Sequence, residues 1–159
     1  MKKNLDPQDW HIVSQLAEDG RLSAGKLSET LNVTGPTVRS RIKALLSSGI
    51  LRIAGLVDPG RTPELTIALV GITLQSHREL DAKLEQISSL GKVHWAAVVT
   101  GRYDLMVEVI LSGGIADLYQ FMHEDLSQVG GISSSETFVV MKARNKWIRL
   151  PRGTGEKLL

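Results

Sequence analysis

The stretch TGPTVRSRIK, residues 34–43, sets Arg39, Arg41 and Lys43 at every second position with no acid among them. Val38, Ile42 and Leu45 run alongside at the i, i+4, i+7 spacing of a buried helical stripe, so the cations ride on a helix. Gly35 and Pro36 normally punctuate a chain and must then lie in its first turn, where a missing N–H has no intrahelical partner. Thr34 is placed to cap that turn. With the stripe inward, Pro36, Thr37, Arg39, Ser40 and Lys43 lie on or beside the outer face. A small Gly35 and a rigid Pro36 let this end approach an anion closely, and hydroxyls and N-terminal amides suit phosphate. Arg39 and Lys43 are the candidates for base edges or phosphates. Arg41 flanks the core stripe, so it either joins them or pairs structurally with Asp9 or Glu29. Thr34, Pro36, Thr37, Arg39, Ser40, Arg41 and Lys43 form the candidate DNA-binding set; a basic helical bundle with no nucleic-acid partner is the plainer alternative.

Charge supports that set by its distribution rather than its sum. The net charge is only +2, but residues 30–57 carry four cations and no acid. Residues 61–141 carry five cations against ten acids, and residues 142–159 carry six against Glu156 alone. A chain of 159 residues holds one ordinary domain or two small ones, and 42% hydrophobic with 23% charged residues is a soluble composition. The absence of cysteine excludes a disulfide framework, a thiolate metal site and a thiol nucleophile, and fits a reducing cytoplasm. The start MKKNLDPQDW has no apolar run of a signal peptide, and LTIALVGITL is too short to span a bilayer. A cytoplasmic, membrane-free protein is expected.

The elements that must hold the basic helix are written beside it. Asp6 before Pro7 opens a first helix with Ile12, Val13, Leu16 and Ala17 on one face, stopped by Gly20. Ser23 caps a second that turns Ala24, Leu27 and Leu31 inward, and Asn32 tolerates the left-handed backbone of a tight turn. With the basic helix third, this is a helix-turn-helix, whose last helix lies in the major groove. ILRIAGLVDP then reads as a strand pair or extended wing, and DPGRTP as linker.

In the second half the pattern is βαββαβ: a strand at 65–74, a capping box in SHRE, and a helix with Leu80, Leu84 and Ile87. Strands VHWAAVV and LMVEVIL flank the turn TGRYD at 100–104. A helix with Ile115, Leu118, Met122, Leu126 and Val129 and a strand from 132 to 142 follow. The fold class is α+β, an N-terminal winged helix-turn-helix plus a C-terminal ferredoxin-like βαββαβ (ACT-like regulatory) domain. The expected domains are 1–52 for DNA binding, 53–64 for wing and linker, 65–145 for effector binding and oligomerisation, and 146–159 as a basic tail. Leu105, Val107, Val109 and Leu111 point one way while Met106 and Ile110 point the other. A sheet apolar on both sides needs a second cover, and another copy in a two-fold dimer is the economical one. The tail either tracks DNA phosphates or docks on a neighbour through Trp147 and Ile148.

LDPQDWHIVSQLAEDGRLSAGKLSETLNVTGPTVRSRIKALLSSGIL, TGRYDLMVEVIL and GGISSSETFVVMK, in this order, resemble the Lrp/AsnC, or feast/famine, family of transcriptional regulators over nearly the whole chain. The resemblance implies dimers assembling to tetramers or octamers and an amino acid or related effector bound between subunits. It also implies a ligand loop of Thr100, Gly101, Arg102, Tyr103 and Asp104, faced by Ser133, Ser135 and Thr137 of the last strand. Such a loop suits a zwitterion, with Asp104 taking the ammonium and Gly101 and Arg102 the carboxylate. GRYD is equally a hairpin turn with Asp104 bonding its own backbone, and Ser133 to Ser135 equally an exposed polar edge. His11, His77, His94 and His123 show no paired spacing, so no metal, cofactor or catalytic residue is assigned. Two rival readings stand beside regulation: an effector-independent DNA-compacting architectural protein, and an enzyme on a related fold such as a tetrapyrrole decarboxylase.

Overall fold

Side-chain caps start each of the first three helices. In this computed structural model, which describes residues 5–150, the Asp6 carboxylate accepts from the N–H of Asp9 and opens α1 (Pro7–Glu18). Ser23 accepts from the N–H of Lys26 to open α2 (Ala24–Leu31), and Thr34 accepts from that of Thr37 to open α3 (Gly35–Ser47). Such caps contribute about 1 kcal/mol each. Asn32 takes φ 53 between α2 and α3, which makes the turn tight. Ile12, Leu16, Leu27, Val38 and Leu45 form the buried core of this unit. The α1 stripe centres on Asp9, Ile12 and Leu16, which leaves Ala17 beyond its edge and exposed, against expectation.

The chain divides after Gly55 into two compact units. No strand pair forms over residues 50–56, which hold no regular element before Val57 makes a lone antiparallel bridge to Ile148. In the linker, Asp58 caps a single 3-10 turn, Pro59–Arg61.

The second unit runs β1 (Thr66–Leu74), α4 (Leu80–Ser88), β2 (Val93–Val98), β3 (Leu105–Leu111), α5 (Gly114–Gln120) and β4 (Ile132–Val139). The sheet order is β2-β3-β1-β4, all antiparallel, and one face carries both helices. There Ala68, Val70, Ile72, Leu105, Val107, Val109 and Leu111 pack on Ile87, Leu118 and Phe121. Two elements of this half depart from the expected pattern. The SHRE segment makes a 3-10 turn, His77–Glu79, so Ser76 accepts from the N–H of Arg78 and no capping box closes on α4. After α5 the helix widens into a π turn, Phe121–Leu126, whose longer repeat resets the phase. Leu118, Phe121, Leu126 and Val129 then face inward, and Ile115 is left 65% exposed.

The opposite face is covered in part by the chain itself. Ile148, 0% exposed, packs with Leu65, Ile67 and Ile110, and Val57, Val140 and Leu150 close around them. Residues 146–150 therefore form a strap on the sheet of their own chain; residues 151–159 lie outside the described residues. Trp95 and Phe138 remain exposed on this face. No helix among the described residues is long and apolar enough to cross a membrane.

Candidate DNA interface and ligand turn

Val38 and Leu45 are buried, which fixes the rotation of α3 and turns Pro36, Thr37, Arg39, Ser40 and Lys43 outward, all exposed. Thr34 spends its hydroxyl on the cap and on a 2.8 Å bond to the Thr37 hydroxyl. Arg39 and Lys43 border an open groove of about 810 Å³ between α3 and the start of α2, floored by Ile42 and Leu46 and rimmed by Ser23 and Gly25. Arg41 makes the expected structural pair with Asp9 and adds Asp6. Its Nη1 donates to Asp6 at 2.7 Å and Asp9 at 2.8 Å, tying α3 to α1. Glu29 is not its partner; that carboxylate pairs with Lys26. The N–H of Asp9 and then the Arg41 guanidinium hold the Asp6 carboxyl below its usual 3.8. Hydrogen bonds to Asp9 and Asp6 raise Arg41 in turn, so the strut stays charged.

The second candidate site is the β2–β3 turn. Tyr103 lies flat on the sheet over Gly71, where an added Cβ would come within 2.6 Å of the ring. Its hydroxyl donates to Glu136, directly across from Gly71 on β4. Arg102 joins the same carboxylate at 3.1 Å and stands over the Tyr103 ring. A guanidinium over an aromatic ring thus pairs with a carboxylate held at that ring's hydroxyl, and Thr100 and Gly101, next in sequence, are exposed. Glu136 is the functional candidate that residue-type reasoning missed; the available signal was its alternation with Ser135 and Thr137.

The Asp104 carboxylate does not bond its own backbone: its Oδ2 accepts from the N–H of Leu74 at 2.8 Å, and its Oδ1 lies 3.0 Å from His77. Nor do the β4 hydroxyls gather at the turn of the same chain. Ser135 and Thr137 pair with Ile72 and Val70 and therefore face the helices: Thr137 bonds the Met122 sulfur, and Ser135 lines a cavity of about 200 Å³ beside Leu126 and Gly130. Ser133 is the extra residue of a bulge between Ile132 and Ser134, and is exposed. Among the described residues, no group of histidine and carboxylate side chains is arranged to hold a metal ion.

The Tyr103–Glu136 bond has a titration consequence. Because the carboxylate accepts its hydrogen, the Tyr103 phenol is raised above its usual 10.0. The bond's contribution to stability is complete below 10.0 and is lost as pH rises through the raised value. Gly71→Ala must push the ring away, so ultraviolet titration is expected to show one tyrosine of the variant moving down toward 10.0. An unchanged titration curve would mean that the ring does not depend on Gly71.

Comparisons with known proteins agree with this division of labour. Residues 67–146 match the model of the Lrp/AsnC ligand binding domain, and residues 5–52 that of a winged helix-turn-helix DNA-binding domain. An uncharacterized HTH-type transcriptional regulator of Pyrococcus abyssi is 30% identical over 147 residues, 92% of this chain and 91% of that one. The regulatory protein AsnC of Haemophilus influenzae is 24% identical over 140 residues, 87% of this chain and 93% of that one. The crystal structure of PH0061, from Pyrococcus horikoshii, has a TM-score of 0.79 at 25% identity, covering 93% of this chain and 100% of that one. With a reading helix in one unit, a ligand-binding fold in the other and both matched in order along the chain, the protein belongs to the Lrp/AsnC family of transcriptional regulators.

Proposed function

We propose that the protein recognises a specific DNA sequence through α3 and alters that binding when a small amino-acid-like effector occupies the 100–104 turn in a homo-oligomer. The observation that carries the DNA reading is a capped, acid-free helix with Arg39, Ser40 and Lys43 all outward. For the effector, the supporting arrangement is the adjacent Arg102 guanidinium and Glu136 carboxylate, the charge complement of a zwitterion. Thr100 and Gly101 are the neighbouring contacts, while Asp104 holds the turn in place. Ser133, Ser135 and Thr137 would enter only from another copy. The exposed Trp95 and Phe138 on the open sheet face favour a dimer built through that face, which supplies two reading helices for a two-fold site. Tetramers or octamers then follow by further association. Such a regulator works where the DNA is, in the cytoplasm.

The test is a melting-temperature screen against the amino acids, followed by DNA binding with and without each hit. At a hundredfold excess over Kd, a true effector adds about 2.7 kcal/mol to stability. One amino acid is expected to raise the melting temperature and to shift affinity for a selected duplex. Binding that depends on salt but ignores sequence and all ligands would favour DNA compaction instead. Sedimentation of the whole chain should give a dimer or larger, and a monomer would overturn the oligomer.

A further inference from the structure

A buried carboxylate that neither candidate site uses stands under the strap. Glu108, 3% exposed in the middle of β3, meets Lys146 Nζ at 2.5 Å and His94 Nδ1 at 2.7 Å. His94 is the extra residue of a β2 bulge, lying between Val93, which pairs with Val109, and Trp95, which pairs with Glu108. A bulge re-aims a side chain, and this one turns an imidazole to the acid. Two residues after Lys146, Ile148 is fully buried, and it exchanges both backbone hydrogen bonds with Val57, at 2.8 and 3.0 Å. Val57 belongs to the linker and stands just beyond the division of the chain after Gly55. The Lys146–Glu108 pair and the Ile148 side chain therefore hold the linker itself.

This clamp sets how much chain is free. Leu51 is the last residue packed on the core of the DNA-binding unit, its N–H bonds Leu45, and the Ile53 side chain lies against Gly20. Val57 is the first fixed to the other unit, so residues 54–56 remain, with a full reach of roughly 11 Å. Without the clamp the first residue held in the sheet is Thr66, which pairs with Leu111. The limit of reach then rises to roughly 40 Å. A reading unit on a long tether can meet half-sites at many separations, whereas one on a short tether accepts few.

We propose that the 146–148 strap, by clamping Val57, is a determinant of the half-site spacing that this regulator accepts. The inference rests on the reading of the protein as a dimer that binds specific DNA. Duplexes selected from random sequence with the wild-type chain supply the probe, and an insertion of about five base pairs turns one half-site by half a helical turn. Wild type is expected to lose at least about tenfold in affinity on insertion, and Ile148→Asp no more than about threefold, because the longer tether absorbs the rotation.

A second variant guards against Ile148→Asp failing to fold. Val57 and Ile148 form a hydrogen-bonded antiparallel pair, for which a Cα separation of about 5.5 Å falls within disulfide range. The chain has no cysteine of its own, so Val57→Cys with Ile148→Cys forms one defined crosslink. The oxidised form is expected to keep the full insertion penalty and the reduced form to show a penalty several-fold smaller. A folded, dimeric Ile148→Asp with the wild-type penalty, or equal penalties in the oxidised and reduced protein, overturns the proposal. A wild type that binds single half-sites specifically but tolerates the insertion also overturns it. A wild type without any sequence preference instead defeats the reading beneath it.

Discussion

Arg39→Ala and Lys43→Ala are each expected to weaken binding to a selected duplex by about 1–3 kcal/mol, roughly 5- to 150-fold, while leaving the melting temperature unchanged. Both side chains are exposed on α3, beside the groove at the start of α2, so their loss opens no cavity in the core. The two ways of losing affinity are separable. A lost base contact relaxes the preference at one position, and a lost phosphate contact lowers affinity for every sequence and flattens the salt slope. Arg41→Ala supplies the contrast on the same helix. It removes two charge-assisted bonds and leaves the buried Asp9 unpaired, so it should destabilise the unit by about 1–3 kcal/mol. Filter binding or fluorescence anisotropy beside a melting curve distinguishes the three variants. Unchanged affinity in both Arg39→Ala and Lys43→Ala would remove α3 as the reading helix.

Why Arg39 and Arg41 part company could not be decided from the order of residues alone. Caps and stripes are local, and Thr34, Val38 and Leu45 hold their expected places because every partner lies within a few positions. The partners of Arg41 lie on α1, and pattern reasoning offered Asp9 and Glu29 without a means to choose. The Ser-His-Arg-Glu pattern had the residue types of a capping box, but the backbone opened as a 3-10 turn and changed which N–H Ser76 could reach. In β4 the alternation was visible, but its phase depends on the register with β1. Pairing Gly71 with Glu136 puts that acid on the Tyr103 side and sends Ser135 and Thr137 to the helices. The strap was beyond reach because it joins Val57 to Ile148 across the whole sheet domain.

The same register makes Asp104 and Glu136 separable by experiment. Asp104→Ala leaves the half-buried Leu74 N–H without its acceptor and removes the partner of His77. An unmet backbone donor and a lost charged bond together cost about 1.5–3 kcal/mol, which in a unit of this size is a fall in melting temperature on the order of 10 °C. Glu136→Gln keeps an oxygen for the Tyr103 hydroxyl and loses only the charge, so its melting temperature should move far less. If Glu136 receives an effector ammonium, the same change weakens ligand binding by about 10- to 100-fold, since a charged acceptor has become a neutral one. Calorimetric titration of both variants with the amino acid found by the screen, run beside their melting curves, gives the answer. The expected pattern is a destabilised Asp104→Ala that still binds and a stable Glu136→Gln that binds poorly. The reverse pattern, a stable Asp104→Ala with no isotherm and a Glu136→Gln with a normal one, would return the ammonium to Asp104 and dissolve the Arg102–Glu136 site.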